Sequence, residues 1–93
     1  MKHILKSNHA LHRQKNRSIP DEVVNLVLQY GRTIRRHGAD VYLLGRKERR
    51  RLVNDIESNV LRCFERKLKA YVVLGDNGSA ITCGYRTRRL HAD

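Results

Sequence analysis

Residues 7–31, SNHALHRQKNRSIPDEVVNLVLQYG, decide how the fold begins, because they predict two helices separated by a sharp break. Ser7 suits the N-cap of the first helix. Ile19-Pro20 breaks the chain, since a residue before proline is pushed out of the α region and proline suits the start of a new helix. Acidic residues then occupy the first turn, where the helix dipole favours them, and apolar residues follow at helical spacing. Gly31 can end this second helix in the left-handed conformation.

The rest of the chain predicts two hairpins around a long helix. Residues 32–36 and 41–44 flank a turn and read as a β-hairpin. Residues 46–69 contain no Pro or Gly and carry one apolar stripe, which predicts a continuous helix roughly 30 Å long. Residues 70–74 and 80–86 flank an Asp-Asn-Gly turn and predict a second hairpin, which we place at the centre of the sheet because it is so apolar. Residues 3–6 can form a short edge strand, and residues 87–93 a loose basic tail.

This order of elements predicts an α+β fold in a single domain spanning residues 1–93. We expect an antiparallel sheet of about four strands, two short N-terminal helices and one long central helix, with the helices packed on one face of the sheet.

The charge balance narrows the choice of partners. Twenty Lys and Arg stand against nine Asp and Glu, a formal net charge of +11, which attracts phosphate backbones, anionic lipid or an acidic protein. No apolar run approaches the ~20 residues of a membrane helix, and no signal-peptide pattern is present, so we expect a cytoplasmic protein without a membrane partner. The acidic residues are scattered and the two cysteines lack CxxC spacing, so we expect no metal, no cofactor and two reduced core thiols.

His9, Arg13 and Arg17 recur every fourth residue and would line one face of the first helix. Metal-free cleavage of RNA needs groups that take and give a proton and cations that stabilise the charged phosphorane. An imidazole can do the first and guanidinium groups the second. If the terminal strand lies nearby, the candidate catalytic residues are His9, Arg13, Tyr85 and Arg86. The alternative is that His9 caps or packs within the domain and the arginines form a solvated face.

A second basic cluster, RKERRR at residues 46–51, opens the predicted long helix. Cations there oppose the helix dipole, so a bound anion would account for them. The alternative is a solubilising helix end. The candidate nucleic-acid-binding residues from this cluster, the first hairpin tip and the two ends of the chain are Arg17, Arg35, Arg36, Arg46, Lys47, Arg49, Arg50, Arg51 and Arg88.

The run Ser-Asn-His-Ala at residues 7–10, with the spaced arginines and Gly31, resembles a small bacterial domain family of unknown function. Residues 80–87 are similar to the last strand of that family. The family is grouped with the BrnT and RelE types of toxin, metal-independent ribonucleases neutralised by an acidic antitoxin. The resemblance implies a RelE- or barnase-like fold, with His9, Arg13 and Tyr85 or Arg86 at the positions to test. The chain departs from the family at Pro20 and in the long helix, which we interpret as a partner-binding insertion.

The sequence therefore predicts a toxin-like, RNA-binding protein of a toxin–antitoxin system that cleaves RNA without a metal and has an acidic antitoxin partner. Two alternatives remain open. One is a non-catalytic nucleic-acid-binding module that uses the 46–51 cluster, and the other is a basic protein–protein adaptor.

Overall fold

The computed structural model describes residues 6–86, which form an α+β fold around a four-stranded antiparallel sheet. Strand order follows chain order, β1-β2-β3-β4, and each strand pairs antiparallel with the next. The predicted class and sheet are confirmed. The elements are α1 (Asn8–Asn16), α2 (Asp21–Tyr30), β1 (Arg32–Arg36), β2 (Ala39–Leu43), α3 (Arg46–Asp55), α4 (Ser58–Phe64), a 3-10 turn (Glu65–Lys67), β3 (Ala70–Leu74) and β4 (Ala80–Tyr85).

The two N-terminal helices form as predicted. The Ser7 hydroxyl accepts the backbone N–H of Ala10 at 3.0 Å, which caps α1, and donates to the carbonyl of Ile81 at 2.9 Å. Asp21 and Glu22 occupy the first turn of α2, and its three buried valines face the core. The cap of α1 thus also ties the helix to β4.

Gly31 ends α2, but not in the predicted left-handed conformation. Its φ and ψ are −70° and 154°, which is extended backbone. A side chain at this position would collide with the carbonyl oxygen of Val27 and lie 2.9 Å from that of Leu43. Glycine is required here because the end of α2 approaches β2 closely, not because of a positive φ.

The predicted long helix over residues 46–69 is wrong. Ile56 is extended, with φ −108° and ψ 138°, and it separates α3 from α4. The reason lies in the sheet: Leu43 of β2 pairs with Tyr71 of β3, so the connection starts and ends at the same end of adjacent strands, only about 5 Å apart. The predicted straight helix, roughly 30 Å long, would carry the chain away from the sheet and could not return it to this point.

The central position predicted for the C-terminal hairpin is also wrong for one of its strands. β2 and β3 are the interior strands, and β4 is an edge of the described sheet. α1 covers one side of β4 instead: Cys83 is 4% exposed and its thiol donates to the carbonyl of Ala10 at 3.7 Å, whereas Ile81 stays 43% exposed. On the outer side of β4, Lys6 forms a parallel bridge with Ala80.

The main core lies between the helices and one face of the sheet, and it is formed largely by Val23, Val27, Leu44, Leu52 and Val72. Ile34, Val41 and Leu43 form a second cluster with Tyr71 and Val73.

Only one of the two predicted core thiols is in the core. Cys83 is buried, and burial raises its pKa, whereas Cys63 is exposed.

Between residues 6 and 86, no helix is both long and apolar enough to cross a membrane. The strand predicted at residues 3–6 lies outside the described residues except for Lys6, and the predicted tail lies outside them entirely.

Candidate nucleic-acid interface

Three arginines from separate elements meet at the start of α3. Arg32 opens β1, Arg49 lies in the first turns of α3, and Arg86 directly follows β4. They line a cleft of about 1120 Å³, here called the arginine cleft. Its other cationic walls are Arg46, Lys47 and Arg50. Of the residues between 6 and 86, six cations therefore line the cleft against one carboxylate, that of Glu48.

The sheet register explains how Arg32 and Arg86 come together. Arg32 pairs across the sheet through Leu43 and Tyr71 to Gly84, so these residues share one face. Arg86 is two residues beyond Gly84, which returns it to the same face. Its backbone N–H donates to the carbonyl of Lys69 at 3.0 Å.

Arg86 also holds the cleft together from its side chain. Its Nη2 donates to the carbonyl of Leu44, at the junction between β2 and α3. The side chain of Arg86 thus links the end of β4 to the start of α3, across the sheet.

Electrostatic repulsion is built into this arrangement. Burial is the largest cause that lowers the pKa of Arg86, followed by the neighbouring charges of Arg49 and Arg32, while Glu48 acts in the opposite direction. The Nε atoms of Arg49 and Arg86 are buried and have no hydrogen-bond partner in the described structure. A buried donor without a partner costs about 1–3 kcal/mol, and an anion in the cleft would offset the repulsion among these guanidinium groups.

Glu48 is committed to the start of the helix. Its carboxylate accepts the backbone N–H of Gly45 at 2.8 Å, which satisfies one of the free donors at the start of α3, and lies 3.8 Å from the Nε of Arg32. Its side chain is only 15% exposed. This carboxylate stabilises the helix end and offsets only part of the surrounding positive charge.

The predicted catalytic set is divided by the structure. Arg86 belongs to the arginine cleft, whereas His9, Arg13 and Tyr85 lie around α1. His9 is exposed and forms no hydrogen bond or ion pair with another described residue. Arg13 is half-buried, and its Nε donates to the carbonyl of Cys83 at 3.3 Å.

Tyr85 supports the turn between α1 and α2. Its hydroxyl donates to the carbonyl of Ser18 at 3.3 Å, and its pKa is raised chiefly by burial and then by Cys83. Ser18 has a positive φ of 53°, and its carbonyl also accepts the Nζ of Lys67 at 3.1 Å. In these contacts Tyr85 fixes a strained turn.

A different tyrosine, Tyr71, lies on the same side of Gly84 as Arg13. A Cβ on Gly84 would lie 2.9 Å from the hydroxyl of Tyr71 and 3.1 Å from Nη2 of Arg13, so both groups converge above this glycine. Sequence reasoning missed Tyr71. The signal that could have found it is a glycine inside a strand, which often marks a close approach.

The other predicted binding residues are dispersed. Arg35 lies near the far end of β1, about 10 Å along the strand from Arg32, where Asp76 at 3.0 Å and Asp40 at 3.2 Å bind it and raise its pKa. Arg36 closes the same strand. Two further predicted residues, Arg17 and Arg51, are exposed and do not line the arginine cleft, and Arg88 lies outside the described residues.

Within residues 6–86, no group of three or more His, Cys, Asp or Glu side chains is placed to hold a metal ion.

Comparison with protein-family models, with curated proteins and with solved structures finds no match for this chain. The resemblance to BrnT and RelE toxins therefore stays a prediction.

Proposed function

We propose that the chain binds the phosphate backbone of nucleic acid, preferably RNA, in the arginine cleft. The observation that carries the proposal is the convergence of Arg32, Arg49 and Arg86 from three elements, with two buried Nε donors unpaired. The planar guanidinium group matches phosphate oxygens in a bidentate geometry. The preference for RNA rests on the sequence resemblance alone.

The chemistry of the cleft favours binding over cleavage at this place. Among the described residues, the lining contains no His or Tyr, and its one carboxylate, that of Glu48, already accepts a hydrogen bond at the start of α3. Guanidinium groups hold and stabilise charge but do not exchange protons near neutral pH. The cleft thus fits the non-catalytic binding module better than the ribonuclease.

Metal-free RNA cleavage is a second candidate, and one arrangement of side chains favours it. The guanidinium of Arg13 and the hydroxyl of Tyr71 both approach Gly84, and His9 lies one helical turn before Arg13. A cation, a phenol and an imidazole on neighbouring elements can stabilise a phosphorane and transfer its protons. In a toxin–antitoxin pair, an acidic antitoxin would compete with RNA for the arginine cleft.

The binding proposal is tested by titrating labelled single-stranded RNA with the full chain at about 50 to about 200 mM salt. We expect Arg49→Gln to weaken binding about tenfold and to reduce the slope of log affinity against log salt by about one. Arg51→Gln is the matched control, because it removes the same charge from the same helix outside the cleft, and we expect less than about a twofold change. Equal losses in both variants would show diffuse attraction and overturn the cleft as the site.

Cleavage is tested by incubating labelled RNA with excess EDTA. Products that disappear in His9→Ala and Tyr71→Phe but persist in Tyr85→Phe would establish the ribonuclease and locate it beside Arg13. Intact RNA, together with salt-dependent binding, would leave the binding module as the function. Capture of an acidic protein by a chain that binds no RNA would favour the adaptor.

A further inference from the structure

A second cavity adjoins the arginine cleft, between α3 and α4. It has a volume of about 340 Å³, and Arg49 and Val53 line both cavities. Its aliphatic walls are Val53, Leu61 and Leu68. The two cavities therefore form one continuous surface, with concentrated positive charge on one side and apolar side chains on the other.

The break between α3 and α4 creates this cavity. Because Ile56 is extended, α4 turns away from the axis of α3 and leaves a gap between the two helices. Val53, at the boundary between the two cavities, is 56% exposed. The side chain of Val53 is therefore accessible to a ligand in either cavity.

Polar groups stand at the rim of the same cavity. Ser58, Arg62 and Glu65 supply a hydroxyl, a guanidinium and a carboxylate, and all three residues are exposed. Together they offer both hydrogen-bond donors and acceptors around an apolar interior. A flat ring that is apolar on its faces and polar at its edges satisfies both parts of this lining.

We propose that the cavity between α3 and α4 binds an unpaired nucleobase of the same strand whose phosphate lies in the arginine cleft. This inference rests on the proposed function and specifies its ligand as single-stranded nucleic acid, because a base inside a duplex is stacked and cannot enter a pocket. The guanidinium plane of Arg49, shared by both cavities, can stack on the base while its edge faces the phosphate.

The size of the cavity argues for a base and against a protein helix. Its volume lies at the lower end of the range for small-molecule pockets, about 300–1000 Å³, whereas a helix needs a long groove. The direct junction with the arginine cleft then matches the short connection, through one ribose, between a base and its phosphate.

The experiment compares three labelled probes of equal length: single-stranded RNA, an abasic ribose-phosphate strand and an RNA duplex. We expect the wild-type chain to bind the single strand about tenfold more tightly than the abasic strand, since stacking one base contributes that much. Val53→Ser should remove this preference, measured as the ratio of the affinities for the single-stranded RNA and the abasic strand. Val60→Ser is the matched control, because Val60 is also an exposed valine but lines neither cavity.

The outcomes separate the two proposals. Failure to bind any probe would overturn the arginine cleft and the base pocket together. Equal affinity for RNA and the abasic strand, unchanged by Val53→Ser, would overturn the pocket and leave the cleft intact. Tighter binding of the duplex would overturn the single-stranded ligand.

Discussion

The face of α1 and the basic cluster at residues 46–51 are both predicted from closely spaced cations, yet the fold uses them differently. On α1, His9 and Arg17 stay in solvent, and Arg13 is bound to a backbone carbonyl of β4. In the cleft, Arg32 and Arg86, which are far apart in sequence, are brought beside the start of α3. A repeat along one helix gives only a charged face, whereas a binding site needs convergence, which the sheet register provides.

We expect the largest effect when two positive charges are removed from the arginine cleft. Removing two positive charges from exposed positions is the comparison. We expect Arg32→Gln with Arg49→Gln to weaken RNA binding about 100-fold, since each charged hydrogen bond contributes about 1.5–3 kcal/mol. Arg17→Gln with Arg51→Gln removes the same charge from exposed positions and should cost less than about threefold. Binding titrations at one salt concentration decide this. Similar losses would erase the distinction between the two regions.

Removing a negative charge from the arginine cleft should have the opposite effect on RNA affinity. Glu48→Gln removes the negative charge from the arginine cleft, and the amide oxygen can still accept the N–H of Gly45. We expect RNA affinity to rise about fivefold to tenfold while the free energy of unfolding falls, because the arginines repel one another more strongly. Asp55→Asn, an exposed carboxylate on the same helix, should change neither. Weaker RNA binding by Glu48→Gln would contradict an anion site here.

Damage to the cap of α1 should change stability without changing binding. Ser7→Ala loses the acceptor for the N–H of Ala10 and the donor to Ile81, and we expect it to destabilise the protein by about 1 kcal/mol. Chemical denaturation measures this. Ser79→Ala, whose hydroxyl makes no hydrogen bond within the described residues, is the control. A parallel drop in RNA affinity would place α1 in the interface.

The smallest effect is a pH dependence at the start of α2. Hydrogen bonds from Lys6, at 2.8 Å, and from Gln14 hold the pKa of Asp21 below its usual range. The stability from this carboxylate is therefore complete above about pH 3.9, its unfolded value, and is lost as the pH falls through the lower folded pKa. The difference in Tm between wild type and Asp21→Asn should narrow on acidification.

Because Asp21 is exposed, its contribution to the free energy of unfolding should amount to a few tenths of a kcal/mol. Glu22→Gln, in the same turn, controls for the loss of a helix-dipole interaction. A difference in Tm that stays constant between about pH 5 and about pH 2 would contradict the assignment.

Local chemistry was enough to predict much of the fold. The cap at Ser7, the break at Pro20 and the Asp-Asn-Gly turn at residues 76–78 each act within a few residues, and the elements they delimit are present. The helix break at Ile56 has no such signal, because residues 46–69 contain neither Pro nor Gly. It follows from the pairing of β2 with β3, which no local pattern reveals.

The part of the candidate site that is contiguous in sequence was also predictable, and the part that depends on the sheet was not. The cluster at residues 46–51 stood out because its charges are adjacent in sequence, and four of its five cations line the cleft. Arg32 looked like an ordinary polar position in an alternating strand, so it was missed. Arg86 was singled out, but with the wrong neighbours, because its position depends on the register of β3 with β4.

The side chain of Arg86, which donates to the carbonyl of Leu44, also determines when the arginine cleft can be completed during synthesis. During synthesis, both N-terminal helices, the first hairpin and α3 leave the ribosome before this residue does. The arginine cleft therefore lacks one wall until β4 has paired with β3. A nascent chain of this protein is basic from its first helix onward, but its arginine cleft is complete only after Arg86 has been synthesised and β4 is in place.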